Sequence, residues 1–390
     1  MKSLLRKNVT RASILLSLTL FTTPIFGALS VSMTPSSDQV VAKDENVSFS
    51  CSPSGGCSPY TYSWSFQNGS PASSSSQNPN TVTFGSSAEG KENIATVTVT
   101  DSAGATASAN IKVRVPKVEV VSADVEQNEI KIKCTPQNLS GTLTIYLKGD
   151  VEKQVHTESV SGSTTAATYT FHIESLTTAE KNKTFNKVKG KWTPSSKEAT
   201  GEKDTSRNFK YLGVWQITNY YTPVEGQFSG STLSKGTGQL IGTTWINLSD
   251  VAHPVAFMNA VDPANEGLGL IGSTVVRFHP TYGNTSATPW TDLQNGNPHY
   301  LANPDPDQQT AHCAPFNLIG TSDTIAASSL QLSCGSEVLI QDVTGKKIKR
   351  DTGGGLGSEQ IDVYIGEGGT SLKQQADDWG NRNKWVIKLL

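Results

Sequence analysis

Asp351-Thr352-Gly353-Gly354-Gly355-Leu356-Gly357-Ser358-Glu359-Gln360-Ile361-Asp362-Val363-Tyr364-Ile365 is a glycine-rich turn that runs into a strand. In its second half Ile361, Val363 and Ile365 alternate with Asp362 and Tyr364. That period of two predicts a strand whose apolar three face a core while the carboxylate faces away. A carboxylate on a rigid strand, beside a turn that lets a second carboxylate and a ligand approach, suits acid/base work on sugars. Gly353 and Gly354 lack the Cβ that would keep the loop backbone away from a bound saccharide. Asp351 has two readings: a neighbouring anion for Asp362, or a residue that caps its own turn through an Asx bond.

At the other end of the same region stands Gln216-Ile217-Thr218-Asn219-Tyr220-Tyr221-Thr222-Pro223. It resembles the Q-I-T-G-Y-Y-T-P segment of the membrane-bound lytic transglycosylase A family. The Asp351 to Tyr364 stretch resembles D-[TV]-G-G-A-I-K-G-x-x-[FI]-D-[IV]-Y, shared by that family and the three-aspartate (3D) domain. The two motifs stand in family order, and Lys384-Trp385-Val386-Ile387-Lys388-Leu389 is similar to the family's closing strand. The resemblance spans about residues 209 to 390 and implies a six-stranded double-psi β-barrel. It further implies Asp362 as the acid/base, with Thr218 and Tyr220 lining a saccharide groove. Two positions depart from the family: Ser328 where a third aspartate is expected, and Gly357 where the loop carries lysine.

Cleaving a glycosidic bond calls for a proton on the leaving oxygen and a nucleophile at the sugar carbon, so ordinary glycosidases use two carboxyls. In lytic transglycosylation the muramic acid's own C6 hydroxyl is the nucleophile and a 1,6-anhydro end forms. One carboxyl then serves as acid and afterwards as base, and the intramolecular attack has a high effective molarity. An anion beside Asp362 would raise its pKa and keep it protonated for the first step. Glu225 and Asp262 are further carboxylates in the domain; Ala260-Val261-Asp262-Pro263 resembles a three-aspartate string but stands at the wrong place in the chain.

The chain of 390 residues is too long for one ordinary domain. Residues 1–28 read as a secretory signal peptide, with Lys2, Arg6, Lys7 and Arg11 ahead of an apolar run from Ile14 to Phe26. No later stretch is apolar enough to span a membrane. Export suits cysteine pairing: Cys51 with Cys57, and Cys313 with Cys334, leaving Cys134 as the odd thiol. A formal charge of −2 excludes a global electrostatic grip on nucleic acid. The six histidines show no paired ligand spacing, no phosphate loop is present, and neither metal nor cofactor is expected.

Short alternating strands with Ser/Gly/Asn/Pro turns predict mostly β structure throughout. Residues 30–116 read as a β-sandwich, and Tyr60-Thr61-Tyr62-Ser63-Trp64-Ser65-Phe66 with the run Ala95–Ala109 resembles a PKD-type domain in which Trp64 is a core residue. Residues 117–175 read as a second Ig-like sandwich, and 176–208 as a basic, polar linker. The last domain, 209–390, shows strands at Tyr211–Thr218, Val255–Val261, Ser273–Phe278, Glu337–Gln341, Ile361–Ile365 and Lys384–Leu389, one helix at Ser371–Trp379, and a surface insertion at about 279–324. The expected protein is an exported enzyme of the periplasm, envelope or exterior acting on peptidoglycan glycan strands, with the sandwiches free to meet other envelope proteins. An expansin-like protein that binds or loosens wall polysaccharide without cleaving it is the alternative.

Overall fold

The computed structural model describes residues 27–390, apart from 80, 235–236, 242–243, 250–251, 261–267, 272–273, 279–299, 303–321, 329–331 and 352–355. The expected signal peptide therefore lies almost wholly outside the described residues. So do Cys313, Asp262, Gly353 and Gly354. The chain divides into two compact units, residues 1–115 and 116–390.

The first unit is built from strands whose alternate residues are buried. In Glu92–Thr100 the inward positions are Asn93, Ala95, Val97 and Val99. This strand is flanked by Thr61–Phe66 and Thr106–Arg114 in a five-stranded sheet. Trp64 is buried against Phe49 and Phe66, with ring centroids 5.9 and 5.6 Å away, and its indole N–H donates to the Ser76 carbonyl at 2.9 Å. Its sequence-expected role as a core residue is what the structure shows. Cys51 and Cys57 are both free thiols, as is Cys134. The expected Cys51–Cys57 bridge is absent. Asp101 instead fixes the Cys57 loop by accepting its backbone N–H at 2.8 Å.

In the second unit, the stretch read as a linker is regular structure. Residues 184–193 form a strand, and a 25-residue strand, Ala199–Pro223, follows. Phe185, Val188, Gly190 and Trp192 face inward, while the outward lysines meet carboxylates on other strands: Lys189 with Glu152 at 3.0 Å, and Lys187 with Asp204 at 3.4 Å. The basic excess that resembles a solvated tether is one face of a sheet. Its partners Ser140–Gly149 and Glu152–Ser161 complete that side. Phe209, within the long strand, is fully buried against Phe171 and Phe185.

We label the long strand β1 (Ala199–Pro223). It is followed in the ring by β2 (Thr324–Ala327), β3 (Glu337–Ile340), β4 (Lys347–Asp351), β5 (Gln360–Gly368) and β6 (Arg382–Leu389), with helix α1 (Thr370–Trp379) between β5 and β6. Hydrogen bonding runs β1–β5–β2–β4–β3–β6, and β6 pairs again with β1. The six strands thus close a ring. Its interior holds Leu212, Trp215, Ile217, Ile325, Ala327, Val338, Ile340, Ile361, Val363 and Val386. Between β1 and β2 the chain forms a second five-stranded sheet. There the expected strand at Val255–Val261 is a short helix, Val255–Ala260, with Phe257 packed on Phe228 at 5.9 Å.

Because β1 runs from its pairing with Thr184–Thr193 into the ring, damage at its first part must reach the ring. Phe209→Ala is expected to cost about 3 to 5 kcal/mol and to shift a single denaturant transition for residues 116–390. Separate transitions for sandwich and ring would contradict one cooperative unit.

Candidate active site

The ring places polar side chains on the face opposite its apolar interior. On β5, Ile361 and Val363 point inward and Asp362 outward, as alternation predicts. The expected third apolar position, Ile365, is only half-buried, and Tyr364 is buried instead. A register shift between Tyr220 and Thr222 breaks the period there. Parallel pairing of β1 with β5 sets Gln216 beside Gln360, Thr218 beside Asp362 and Tyr220 beside Tyr364. Antiparallel β2 sets Ala326 on the other side of Asp362, and parallel β4 sets Asp351 beside Ala326. Thr218, Asp362, Ala326 and Asp351 therefore form one row across four strands. Asp351 is the last residue of β4 and pairs with Ala326 in the ladder.

Ala326 is small and lies between the two carboxylates, so the charge of Asp351 reaches Asp362. Burial first, and Asp351 second, push the Asp362 pKa from its ordinary 3.8 up to about 6, against a lowering hydrogen bond from Gln360. The Asp362 Oδ1 atom is buried without a hydrogen-bond partner among the described residues. On the β1 side the Thr218 hydroxyl donates to the Ile361 carbonyl at 3.4 Å and accepts from Gln360 Nε2 at 3.4 Å. The Tyr220 ring meets Tyr364 edge-on, with centroids 5.3 Å apart, and the Tyr364 hydroxyl donates to Thr222 Oγ1 at 3.1 Å.

Four of the residues singled out from sequence, Asp362, Asp351, Thr218 and Tyr220, thus converge. Gly353 and Gly354 fall outside the described residues. Ser328 follows Ala327 directly at the end of β2, close to the same row. Gly357 has room for a side chain, since a Cβ there would meet only Gln360 Oε1 at 3.8 Å. Glu225 sits apart in a 3-10 turn, Glu225–Gln227. Sequence reasoning passed over Gln360. Its place two residues before Asp362, hence on the same strand face, is the signal that would have found it. Cys334 carries a disulfide bond.

Residues 28–115 match the PKD domain family. No curated protein matches the chain. Among solved structures, Escherichia coli MltA, described as a unique lytic transglycosylase fold, aligns over 53% of this chain and 76% of its own, at 14% identity and a TM-score of 0.29. MltA with bound chitohexaose aligns over the same shares at 12% identity and 0.30. The three N-terminal domains of the bacteriophage RB49 outer capsid protein Hoc align over 46% of this chain and 68% of theirs, at 16% and 0.26. TM-scores of this size are too low to establish a common fold. Among the described residues no helix is long and apolar enough to cross a membrane.

The raised pKa has a sign that can be measured. Asp362 holds its proton more tightly folded than unfolded, so its contribution to stability is fully present below the ordinary 3.8 and is lost as pH rises through about 6. Asp362→Asn carries no ionisable group. It should match the parent's stability below about pH 4 and exceed it above about pH 6 by roughly 1 to 3 kcal/mol, read as a higher midpoint in thermal melts. Equal melts at pH 8 would show that burial does not oppose ionisation of this carboxyl.

Proposed function

We propose that residues 116–390 carry a peptidoglycan lytic transglycosylase, cutting the bond between N-acetylmuramic acid and N-acetylglucosamine and leaving a 1,6-anhydro end. The reading is carried by one observation, a carboxyl raised toward neutral pKa on a rigid strand with one buried oxygen unpartnered. The sequence resemblance at Gln216–Pro223 and Asp351–Tyr364 supplies the substrate class. On that resemblance the six-stranded ring is a double-psi β-barrel, and the apolar leader at residues 1–28 directs export to the envelope or beyond it.

Asp362 enters the cycle protonated. Its proton passes to the glycosidic oxygen as the C1–O bond of the muramic residue breaks, and positive charge develops at C1. The C6 hydroxyl of the same residue attacks C1, and its proton returns to the Asp362 carboxylate. The carboxyl is thereby restored, and no water is consumed. Asp351 contributes as a neighbouring negative charge that disfavours ionisation of Asp362 and stabilises the developing cation. Tyr220 offers a ring face and Thr218 a hydroxyl to the sugar. On the resemblance, Gly353 and Gly354 are glycines whose missing Cβ would let the backbone approach a sugar closely.

Ser328 and Gly357, which stand where the family has aspartate and lysine, favour a second reading in which the groove binds wall polysaccharide without cleaving it. Mass spectrometry of wall sacculi treated with the protein separates the two. Anhydro-muramic ends support transglycosylation, reducing ends indicate hydrolysis, and intact strands retained with the protein indicate binding alone. Activity that depends on protonated Asp362 should decline as pH rises through about 6, the value to which the carboxyl is raised. Asp362→Asn should lower product formation by on the order of a hundredfold or more while leaving the fold intact. Anhydro ends from that variant above about a tenth of the parent rate would remove Asp362 from the role.

A further inference from the structure

A cleft of about 560 Å³ lies between strands β3 and β6 of the ring and two turns of the strands that precede the ring, and it shares no residue with the Asp362 row. Trp385 of β6 forms one wall. Val386 faces the ring interior, so Trp385 faces out by alternation, and its cross-strand neighbour Val214 is 54% exposed. Glu126 and Asn128 come from the turn between the strands Lys117–Asp124 and Glu129–Thr135, and Glu174 from a 3-10 turn, Ile173–Ser175. Gln341 and Asp342 follow β3 directly. The two amides have fixed orientations. Phe171 donates its backbone N–H to Asn128 Oδ1 at 3.1 Å, and Trp385 donates its own to Gln341 Oε1 at 3.4 Å. A backbone N–H only donates, so each amide oxygen is spent within the protein, and each NH2 group is left without a partner among the described residues. The carboxylates supply the opposite polarity: Glu126 is paired with Arg207 at 3.2 Å, Asp342 with Lys384, and Glu174 with His172 Nδ1 at 3.1 Å, and each keeps lone pairs to spare. Arg207 and Lys384 match two of the three acids, so the cleft carries little net charge.

An indole ring, two unspent donors and several unspent acceptors are the complement of a pyranose, which shows a face of C–H bonds and a rim of hydroxyls that both donate and accept. An anionic polymer would meet three carboxylates instead, and an apolar ligand would bury two amide groups without partners. We propose that this cleft binds an uncharged stretch of polysaccharide, with one sugar ring laid on Trp385. Asn128 and Gln341 donate to its hydroxyls, and the carboxylates accept from them. The site goes beyond the reading of Asp362 and holds whether or not that carboxyl cuts a glycan. Val214 and Thr218 stand on the same outer face of β1, four residues apart, so the apolar edge of the cleft lies ~13 Å along the strand from the carboxyl row. A polymer held in the cleft is thereby kept near the row without occupying it.

The test follows the indole N–H signals of the seven tryptophans in the full-length protein labelled with nitrogen-15, with Trp385 assigned by the loss of its signal in Trp385→Phe. Chitohexaose and cellohexaose, an amino-sugar and a glucose hexamer, are titrated separately. At least one should move the Trp385 signal to saturation, and the tighter of the two identifies the kind of sugar taken. Asn128→Gly suits the left-handed backbone of its turn (φ 52°) and removes the amide. It should raise the midpoint of that titration roughly two- to tenfold, the worth of one hydrogen bond, and Gln341→Leu should do the same. Tyr220→Ala, which alters the Asp362 row, should leave the midpoint where it is. A Trp385 signal that neither sugar moves would overturn the proposal. So would a midpoint that follows Tyr220→Ala and ignores Asn128→Gly, since the sugar would then sit at the row. If Gln341→Leu does not fold, Asn128→Gly decides alone. No outcome depends on cleavage, so failure here leaves the reading of Asp362 standing, and a lack of anhydro ends leaves the cleft standing.

Discussion

One strand serves two cores, and the rest of the second unit depends on it. The first part of β1 bonds to Thr184–Thr193 in the sandwich, its middle to β6, and its last part to β5. A strand rises about 3.3 Å per residue, so the stretch from Phe209 to Thr218 is a stiff lever of about 30 Å. Phe209, locked among Phe171 and Phe185, anchors one end. Thr218 and Tyr220 stand at the other. Lys181 adds a second tie between the same parts, pairing with Glu359 next to Gln360. The strands that precede the ring are thus part of the scaffold of the site rather than a spacer in front of it.

Asp362 shows how such a scaffold is used. Its neighbours on β5 satisfy the apolar interior, the ladder on both sides fixes its backbone, and the side chain is left partly buried with Oδ1 away from solvent. The protein accepts a group that would be more comfortable ionised in solvent. Asp351, one strand beyond Ala326, adds repulsion in the same direction. Two carboxyls in different surroundings, one in the interior of the ladder and one with an unpartnered oxygen, are the usual way a fold separates an acid from a bystander charge.

Much of this was legible in the residues. Alternation around Asp362 gave the strand and the outward carboxylate, and the resemblance at Gln216–Pro223 gave Thr218 and Tyr220. What escaped was whatever depends on register between distant segments. The lysine-rich stretch looked like a tether because a bulge between Phe185 and Lys187 breaks the phase of its buried residues. One of the acids that neutralise it, Glu152, lies 37 positions away in the chain. Ile365 was assigned inward for the same reason, the period failing at a register shift. Gln360 carried no charge and filled a variable place in the motif. Only its cross-strand neighbours reveal what its amide does.

Ring closure also sets an order of events. Phe209 pairs with Leu389, about 180 residues later, and β6 supplies the bonds that seal β1 to β3. Contacts so distant along the chain form late, since the loop between them must be closed first. Until residue 389 has been synthesised, β1 lacks a neighbour along its middle and the row holding Asp362 has no closed wall behind it. The carboxyl row is therefore the last part of the ring to gain its surroundings, and a chain stopped short of β6 holds the side chains of the site without their geometry.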